Sequence, residues 1–239
     1  MAQHFLDRFE AGRLLATRLV AYTHRSDVLV LALPRGGVPV GFEVAKALHA
    51  PLDVFLVRKL GVPGHDELAM GAIASGGVIV RNEEVIAASG VTGHEIQEVL
   101  AREQQEMRRR ARLYRGDRPF PELRGRTVIL VDDGLATGAS MRAAVAALRQ
   151  HRPAQRVVAV PIAAHDTCET LRPEVDEIVC AMTPEPFYSV GLWYEDFSET
   201  TDEEVQDLLV QARRLFPDAD AFRAPSMTRD GGDFESLEH

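Results

Sequence analysis

Two adjacent carboxylates, Asp132 and Asp133, stand directly after an apolar run at residues 128–131. A short loop rich in glycine, threonine and serine follows them. Ionised carboxylates accept hydrogen bonds from neighbouring sugar hydroxyls, and they can orient the water shell of a divalent metal ion. The hydroxyls of Thr137 and Ser140 can donate to phosphate oxygens. The pattern therefore predicts a site for a sugar that also carries a phosphate.

The elements around these residues would hold them at one edge of a sheet. The continuous apolar run predicts a parallel strand buried on both faces, and ligands of such sheets lie beyond the carboxyl ends of the strands. Met141, Val145 and Leu148 then recur at helical spacing, which predicts a helix packed on the sheet. Backbone N–H groups at the start of that helix would face the phosphate. Gly134 and Gly138 would permit the turn between strand and helix.

A simpler interpretation is that Asp132 and Asp133 only terminate a strand and cap a helix. An isolated Asp-Asp-Gly would favour that interpretation. Here the strand, the acid pair, the Thr-Gly-x-Ser loop and the helix occur together in residues 127–148, and the combination favours a phosphosugar site.

The segment 127–140, with four apolar residues, two acids, a turn and Thr-Gly-x-Ser, resembles the phosphoribosyl-pyrophosphate signature of the type I phosphoribosyltransferases. The resemblance implies that Asp132 and Asp133 bind the ribose 2′ and 3′ hydroxyls, with Mg²⁺ held by these acids through water. It also implies that the loop binds the phosphoribosyl group and its 5′-phosphate through Gly134, Ala136, Thr137, Gly138, Ala139 and Ser140.

Alternating strand and helix patterns predict an α/β fold with a central parallel sheet flanked by helices. The family resemblance adds a small hood or insertion. We expect one phosphoribosyltransferase-like domain over residues 1–216, with 61–118 as the hood or flexible-loop insertion. Residues 217–239 are rich in Asp, Gly, Pro and Ser and predict a frayed tail that ends in a tag remnant.

Periodicity predicts the order of the elements. The predicted helices are 5–22, 39–49, 92–115, a helix that begins near 140, 166–171 and 201–215. The predicted strands are 28–33, 52–57, 128–131, 156–163 and 177–182, with loop and short strands over 61–83. Capping boxes are expected at Thr92 with Glu95 and at Thr201 with Glu204.

Another glycine-rich loop follows the first predicted sheet strand and contains Arg35, Gly36 and Gly37. Its glycines allow a phosphate to approach the backbone, and a guanidinium suits bidentate phosphate contact. An ordinary strand–helix turn is the alternative. The segment resembles the family's pyrophosphate loop, which often holds a cis peptide bond, expected here at Arg35–Gly36.

Arg58 and Lys59 would stand at the end of the second predicted strand, on the same sheet edge. They are either cations that face the pyrophosphate or a solvated charge pair. The predicted catalytic residues are thus Asp132 and Asp133 together with the cations Arg35, Arg58 and Lys59.

The glycine- and proline-containing segment 61–77 could form a lid. His65 and Glu67 could transfer protons there, with a surface turn as an equal alternative. After the last predicted sheet strand, Phe187 and Tyr188 could stack on a planar base. Aromatic residues beside a sheet also serve often as core.

Five arginines crowd the long helix, namely Arg108, Arg109, Arg110, Arg112 and Arg115. Glu106 lies four residues before Arg110 and suits a solvated ion pair. We expect a solvated helix face, with contact to RNA or to a pyrophosphate across a dimer interface as alternatives.

The net charge of −9 argues against non-specific binding of nucleic acid or of anionic membranes. Two cysteines without metal-ligand spacing fit a reducing compartment. The N-terminus lacks a signal-peptide pattern and no segment predicts a membrane helix, so a cytoplasmic location is expected.

The resemblance implies transfer of phosphoribose from phosphoribosyl pyrophosphate to a nitrogenous base, with Mg²⁺ as cofactor, pyrophosphate as product and a homodimer as the common assembly. Ala136 stands where the hypoxanthine–guanine branch has an Asp, which puts a 6-oxopurine acceptor in doubt and leaves the base unassigned. The alternatives are a regulator that senses phosphoribosyl pyrophosphate and binds RNA or protein, and a phosphosugar hydrolase or phosphorylase.

Overall fold

The computed structural model describes residues 4–216, apart from the side chains of Asp66 and Glu67. These residues contain a parallel sheet and an antiparallel sheet. The parallel sheet contains β1 (Val28–Ala32), β2 (Leu52–Val54), β6 (Thr127–Val131), β7 (Gln155–Ile162) and β8 (Glu177–Met182), in the order β2–β1–β6–β7–β8. The antiparallel sheet contains β3 (Val57–Val62), β4 (His65–Ala74) and β5 (Val78–Arg81) in that order. The predicted central parallel sheet is confirmed. The predicted tail, 217–239, lies outside the described residues.

Helices cover both faces of the parallel sheet. The helices of the described residues are α1 (Arg8–Arg18), α2 (Gly37–Leu48), α3 (Glu83–Ser89), α4 (Gly93–Arg115), α5 (Ala139–Gln150), α6 (His165–Leu171) and α7 (Asp202–Leu215), of which α3 packs on the antiparallel strand β4. Both predicted capping boxes are confirmed, because Thr92 and Thr201 each exchange hydrogen bonds with the glutamate three residues later. Within the described residues, none of these helices has the length and apolarity needed to cross a bilayer.

The strand β1, between β2 and β6, is buried along its whole length. Val28 and Val30 belong to one core cluster with α1 and α2, whereas Leu29 and Leu31 belong to a second cluster with α5. This alternation follows from the two-residue period of a strand and explains the uninterrupted apolar run. The predicted apolar stripe of α5 is confirmed, because its residues Met141, Val145 and Leu148 are fully buried in the second cluster.

The chain leaves the parallel sheet earlier than predicted. The second strand was expected over 52–57, but β2 ends at Val54 and Val57 already begins β3. The cause is a tertiary contact. The Leu56 N–H donates to the Ser75 hydroxyl at 2.9 Å, and the Ser75 N–H donates to the Leu56 carbonyl at 2.9 Å.

The segment predicted as loop and short strands is more regular than expected. It forms the ten-residue strand β4, and the unpredicted helix α3 follows, capped by the Asn82 side chain. The first helix is shorter than the predicted range 5–22. The observed helix α1 ends at Arg18, and one tight turn, Val20–Tyr22, follows. The antiparallel sheet contacts α4 and α5. These elements fall largely in the predicted insertion, 61–118, whose role as a hood stays a prediction.

Candidate active site

The carboxyl ends of three neighbouring strands lie level with one another. Ala32 of β1 pairs with Val54 of β2 and with Val131 of β6. The Leu33 N–H then donates to the Val131 carbonyl at 2.8 Å, which extends this pairing by one residue. The first crossing (residues 33–37, between β1 and α2) and the second crossing (residues 132–139, between β6 and α5) therefore lie side by side.

The acid pair of the second crossing is held in a defined arrangement. The Asp132 Oδ1 accepts the Asp133 N–H at 2.9 Å, and the Asp133 Oδ2 accepts Arg8 Nε at 2.9 Å. The side chains of Arg8 and Asp133 are only 11% and 16% exposed, so this ion pair is shielded from water. The pair joins α1 to the end of β6.

Two aromatic side chains complete the surroundings of Asp133. The Tyr194 hydroxyl donates to the Asp133 carbonyl at 2.6 Å. Burial raises the pKa of Tyr194, which keeps that hydroxyl protonated as a donor. The guanidinium carbon of Arg8 lies 4.0 Å from the centre of the Phe197 ring, and Arg8 Nη1 donates to the Ser198 carbonyl at 2.7 Å. Arg8 and Tyr194 were not predicted from the sequence.

Both acids resist ionisation. Burial raises the pKa of Asp132 well above its ordinary value, and the negative charge of Asp133 raises it further. Burial also raises the pKa of Asp133, although the charge of Arg8 and its hydrogen bond oppose that shift. A ligand that donates hydroxyls, or that brings a cation, would stabilise the ionised forms. Shifts of this kind are typical of functional sites.

The loop after the acids presents backbone donors. Leu135 is fixed to the next strand end, because its N–H donates to the Ile162 carbonyl at 2.9 Å. Gly138 has a left-handed backbone (φ 70°) and begins α5 without a side-chain cap. No side chain of the described residues therefore competes for the first N–H groups of this helix, which suit an anion. Ala136, Thr137, Ala139 and Ser140 are exposed at this helix start.

The first crossing packs directly on the acids. An ideal Cβ at Gly36 would lie 2.2 Å from Asp133 Oδ2, and one at Gly37 would lie 2.8 Å from the Val131 carbonyl oxygen. Only glycine fits such an approach. The cis peptide bond lies at Pro34–Arg35, so the prediction of Arg35–Gly36 was wrong by one residue. Sequence alone carries no signal that distinguishes these adjacent bonds.

A small cavity of about 110 Å³ opens where the crossings meet β3 and α4. Pro34, Arg58, Asp132 and Ser140 line it, together with the unpredicted Arg110. The cavity thus brings together residues from both crossings and two cations. Its volume is below the range of roughly 300–1,000 Å³ for small-molecule pockets, so it suits part of a ligand, with the remainder over the exposed loop.

The predicted site residues Arg35, Lys59 and His65 do not line this cavity. Arg35 pairs with Glu199, and its Nη1 lies 3.8 Å from Asp202 Oδ1 at the start of α7. Lys59 is exposed, on the opposite face of β3 from Arg58, since neighbouring strand residues point to opposite sides. His65 is exposed and lies at the turn of the β3–β4 hairpin. The Glu67 side chain lies outside what the structure describes.

Arg58 belongs to β3 rather than to the end of β2. Its Nε donates to the buried carboxylate of Glu103 on α4. Burial alone would raise the pKa of Glu103, but hydrogen bonds from Arg58 and Arg102 hold it below its ordinary value. Glu103 therefore stays ionised and fixes Arg58 at the cavity wall.

Arg110 is the one arginine of the α4 run that reaches the small cavity among the described lining residues. Its Nε donates to Glu106 Oε1 at 2.8 Å. A signal for it existed in the sequence. Arg110 continues the buried stripe of Glu103, Met107 and Tyr114 at helical spacing, whereas the arginines beside it do not.

Phe187 and Tyr188 have different environments. Tyr188 is 78% exposed. Phe187 packs against a small core cluster that includes Phe5 and Tyr194. It also lines an open cavity of about 580 Å³ beside His165 and Asp166 at the start of α6. Phe187 therefore serves as core and also faces a space large enough for a planar base.

The family is identified by comparison with known proteins. A family model described as the phosphoribosyl transferase domain matches residues 6–183. The match includes the first helix, both crossings and the parallel sheet through β8. The crystal structure of TT1426 from Thermus thermophilus has a TM-score of 0.78 and 42% identity, covering 87% of this chain and 99% of that chain.

Two curated relatives, from Mycobacterium tuberculosis strains CDC 1551 / Oshkosh and H37Rv, are provisionally named phosphoribosyl transferases. Each is 46% identical over 220 residues, which is 92% of this chain. The chain spans about half (49%) of the length of these relatives. On the family match and these identities, the chain belongs to the phosphoribosyl transferase domain family.

Proposed function

We propose that this chain transfers the phosphoribosyl group of phosphoribosyl pyrophosphate to a nitrogen nucleophile and releases pyrophosphate. One observation carries the proposal. The acid pair at the end of β6 stands beside a helix start with no side-chain cap. In a member of this family, that arrangement supports the binding of sugar hydroxyls and a phosphate on one molecule.

The donor would be held at two places. Asp132 and Asp133 would accept the ribose 2′ and 3′ hydroxyls, and the loop from Gly134 to Ser140 would bind the 5′-phosphate through backbone N–H groups and the hydroxyls of Thr137 and Ser140. Arg8 and Tyr194 would act as positioning residues, since both hold Asp133. Fixing the sugar in this way lowers the entropic part of the barrier.

The pyrophosphate leaving group would lie toward the small cavity. The C1–O bond of the ribose breaks with its electron pair going to pyrophosphate, and a C1–N bond forms as the nucleophile gives up a proton. Arg58 and Arg110 line the cavity and would stabilise the departing negative charge. Arg35 would join them only after leaving its carboxylate partners Glu199 and Asp202.

Mg²⁺ fits this donor set through water. The described residues contain no group of three or more side chains that could form a complete metal site. Asp132 and Asp133 offer two carboxylates, one of them bonded to Arg8, and Mg²⁺ commonly binds through one or two carboxylates, waters and substrate phosphates. When bound with the donor, Mg²⁺ supplies charge neutralisation for pyrophosphate.

The acceptor base would occupy the open cavity beside Phe187. Its lining includes a ring for stacking and three polar side chains, Glu185 together with His165 and Asp166 near the end of β7. Ala136 leaves the loop without the acid that the resemblance associates with 6-oxopurines. The acceptor class is therefore a nitrogenous base.

The experiment is a pyrophosphate-release assay with phosphoribosyl pyrophosphate, Mg²⁺ and a panel of purine and pyrimidine bases. We expect release that depends on one class of base. The variant Asp132→Asn plus Asp133→Asn should keep the fold, by circular dichroism, and lose donor binding by more than about a hundredfold.

The other outcomes separate the rival functions. Donor consumption at the same rate without any base would indicate a hydrolase. Tight donor binding without turnover across the panel would indicate a regulator. Unchanged donor affinity in the double variant would show that the acids are structural, and would overturn the proposed donor site.

A further inference from the structure

A second and larger cavity, of about 790 Å³, lies between α4 and the turn that joins β4 to β5. Leu56 and Met107 line both this cavity and the small one. The described residues that line the two cavities are otherwise different. The larger cavity is therefore separate from the donor site proposed above.

Guanidinium groups dominate the polar lining of this larger cavity. Five arginines and a single acid, Asp117, contribute to it. Two of the arginines are engaged, because Arg115 donates to both oxygens of Asp53 at 3.0 Å and Arg109 to Glu106 at 2.7 and 3.0 Å. Such a concentration of positive charge is unexpected in a chain with a net charge of −9.

Three arginines remain for a ligand. Arg108 and Arg112 are exposed and, among the described residues, pair with no carboxylate. They lie one helical turn apart on the same face of α4. Arg118 is anchored by its Nε on the Arg115 carbonyl at 3.0 Å. The three guanidinium groups therefore come from α4 and from the segment after it.

Apart from Ser75 and Gln104, the remainder of the lining has no polar side chain, and it includes an aromatic ring. The Phe120 ring is held by the rings of Phe55 and His151, at 5.9 and 5.2 Å between centroids, and by Arg115 at 4.9 Å. Gly76 contributes a turn with a positive φ of 79°. An ideal Cβ there would lie 2.3 Å from His151, so the turn packs closely on the ring that supports Phe120.

From this combination we infer that the larger cavity binds a phosphorylated small molecule of nucleotide type. Arginine forks match phosphate oxygens, and a ring with apolar neighbours suits a planar base. The volume falls in the range of roughly 300–1,000 Å³ for small-molecule pockets. A concave pocket in an acidic protein favours a small ligand over RNA, which requires an extended basic surface.

The test is calorimetric titration with adenosine 5′-monophosphate, with adenosine and inorganic phosphate as comparison ligands. The titration uses the intact chain and, separately, the Asp132→Asn plus Asp133→Asn variant, in which the proposed donor site is disabled. We expect saturable binding in both proteins, and affinities for adenosine and for phosphate at least about tenfold lower.

The variant Arg108→Gln plus Arg112→Gln should weaken nucleotide binding by at least about tenfold, and Arg112→Gln alone by less. The matched control, Arg18→Gln plus Arg149→Gln, removes two exposed arginines that line none of the cavities described above, and should bind as the unmodified chain does. Circular dichroism checks that each variant folds.

Four results would overturn the inference. These are no saturable nucleotide binding, equal affinity in the Arg108/Arg112 variant, loss of binding in the Asp132/Asp133 variant, and equal affinity for inorganic phosphate alone. The third would place the nucleotide at the acids, and it would leave the proposed donor site standing.

Discussion

The first and second crossings have similar glycine-rich sequences and lie side by side, yet the structure uses them differently. Gly36 and Gly37 of the first crossing leave no room for a Cβ, because the acids and the end of β6 press against them. The second crossing exposes Ala136, Thr137 and Ala139 and ends in a helix start without a side-chain cap. Under the proposed function, one glycine-rich crossing supports the site and the other binds the ligand, and composition does not distinguish the two roles.

Replacing Gly36 of the first crossing should change donor affinity more than any other substitution that tests this comparison. In Gly36→Ala the new Cβ would meet Asp133 Oδ2 at 2.2 Å and displace that carboxylate. A displacement of an ångström at a reacting site can cost about a hundredfold, and we expect donor affinity to fall by about that factor in calorimetric titration with phosphoribosyl pyrophosphate and Mg²⁺.

Gly93→Ala is the matched control, since an added Cβ there would meet no atom within 4 Å. It should leave donor affinity unchanged. Affinity in Gly36→Ala equal to that of the unmodified chain would show that the close contact between the crossings is not needed.

The carboxyl groups of the second crossing should have pKa values above the ordinary value of an aspartate. The pKa of Asp132 is raised by burial, so its neutral form persists to higher pH and binding that requires the carboxylate is lost as the pH falls through that raised pKa. Donor affinity should then fall about tenfold per pH unit below that pKa.

Asp27, at the amino end of β1, provides the contrast for that titration. The hydrogen bond from Arg25 lowers the pKa of Asp27 to about 2, although burial opposes the shift. In a carboxyl NMR titration of the ligand-free chain, Asp132 should therefore become protonated at much higher pH than Asp27. The reverse order would contradict the buried environment of Asp132.

Removing Arg8 tests whether the second crossing needs support from α1. Arg8→Gln removes the cation and the hydrogen bond at Asp133 Oδ2, and we expect donor affinity to fall about tenfold by calorimetry, since a bond to a charged group contributes about 1.5–3 kcal/mol. Arg13→Gln, an exposed residue of the same helix whose nearest carboxylate contact is 3.8 Å, should change little. Tighter binding in Arg8→Gln would instead mean that Arg8 competes with the ligand.

The smallest effect is expected at Gly138. The positive φ of 70° there makes alanine unfavourable by about 1–2 kcal/mol, which chemical denaturation measures. The Cβ of an alanine at this position would lie 2.7 Å from the Thr167 methyl group. Because that side chain can move, donor affinity should change only a few-fold. A larger loss of affinity than in Gly36→Ala would reverse the roles assigned to the two crossings.

Elements that depend only on neighbouring residues in the sequence were predicted well. The strand β6, its helix α5 and both capping boxes follow from periodicity and cap residues within a few positions of one another. The predicted end of β2 was wrong because hydrogen bonds between Leu56 and Ser75 redirect the chain. These residues are 19 apart in the sequence. Local patterns carry no information about such a partner.

The sequence by itself determined a buried strand, two acids and a loop that begins a helix, an order typical of the carboxyl edge of a parallel α/β sheet. Tertiary structure decided which side chains support it. Arg8 lies 125 residues from Asp133, and Tyr194 lies 61 residues from it. Arg35 lies against α7 rather than in the small cavity. The physical reason is that the spacing of apolar residues along the chain specifies the buried faces of helices and the edges of the sheet. Ion pairs between distant elements depend instead on how those faces pack.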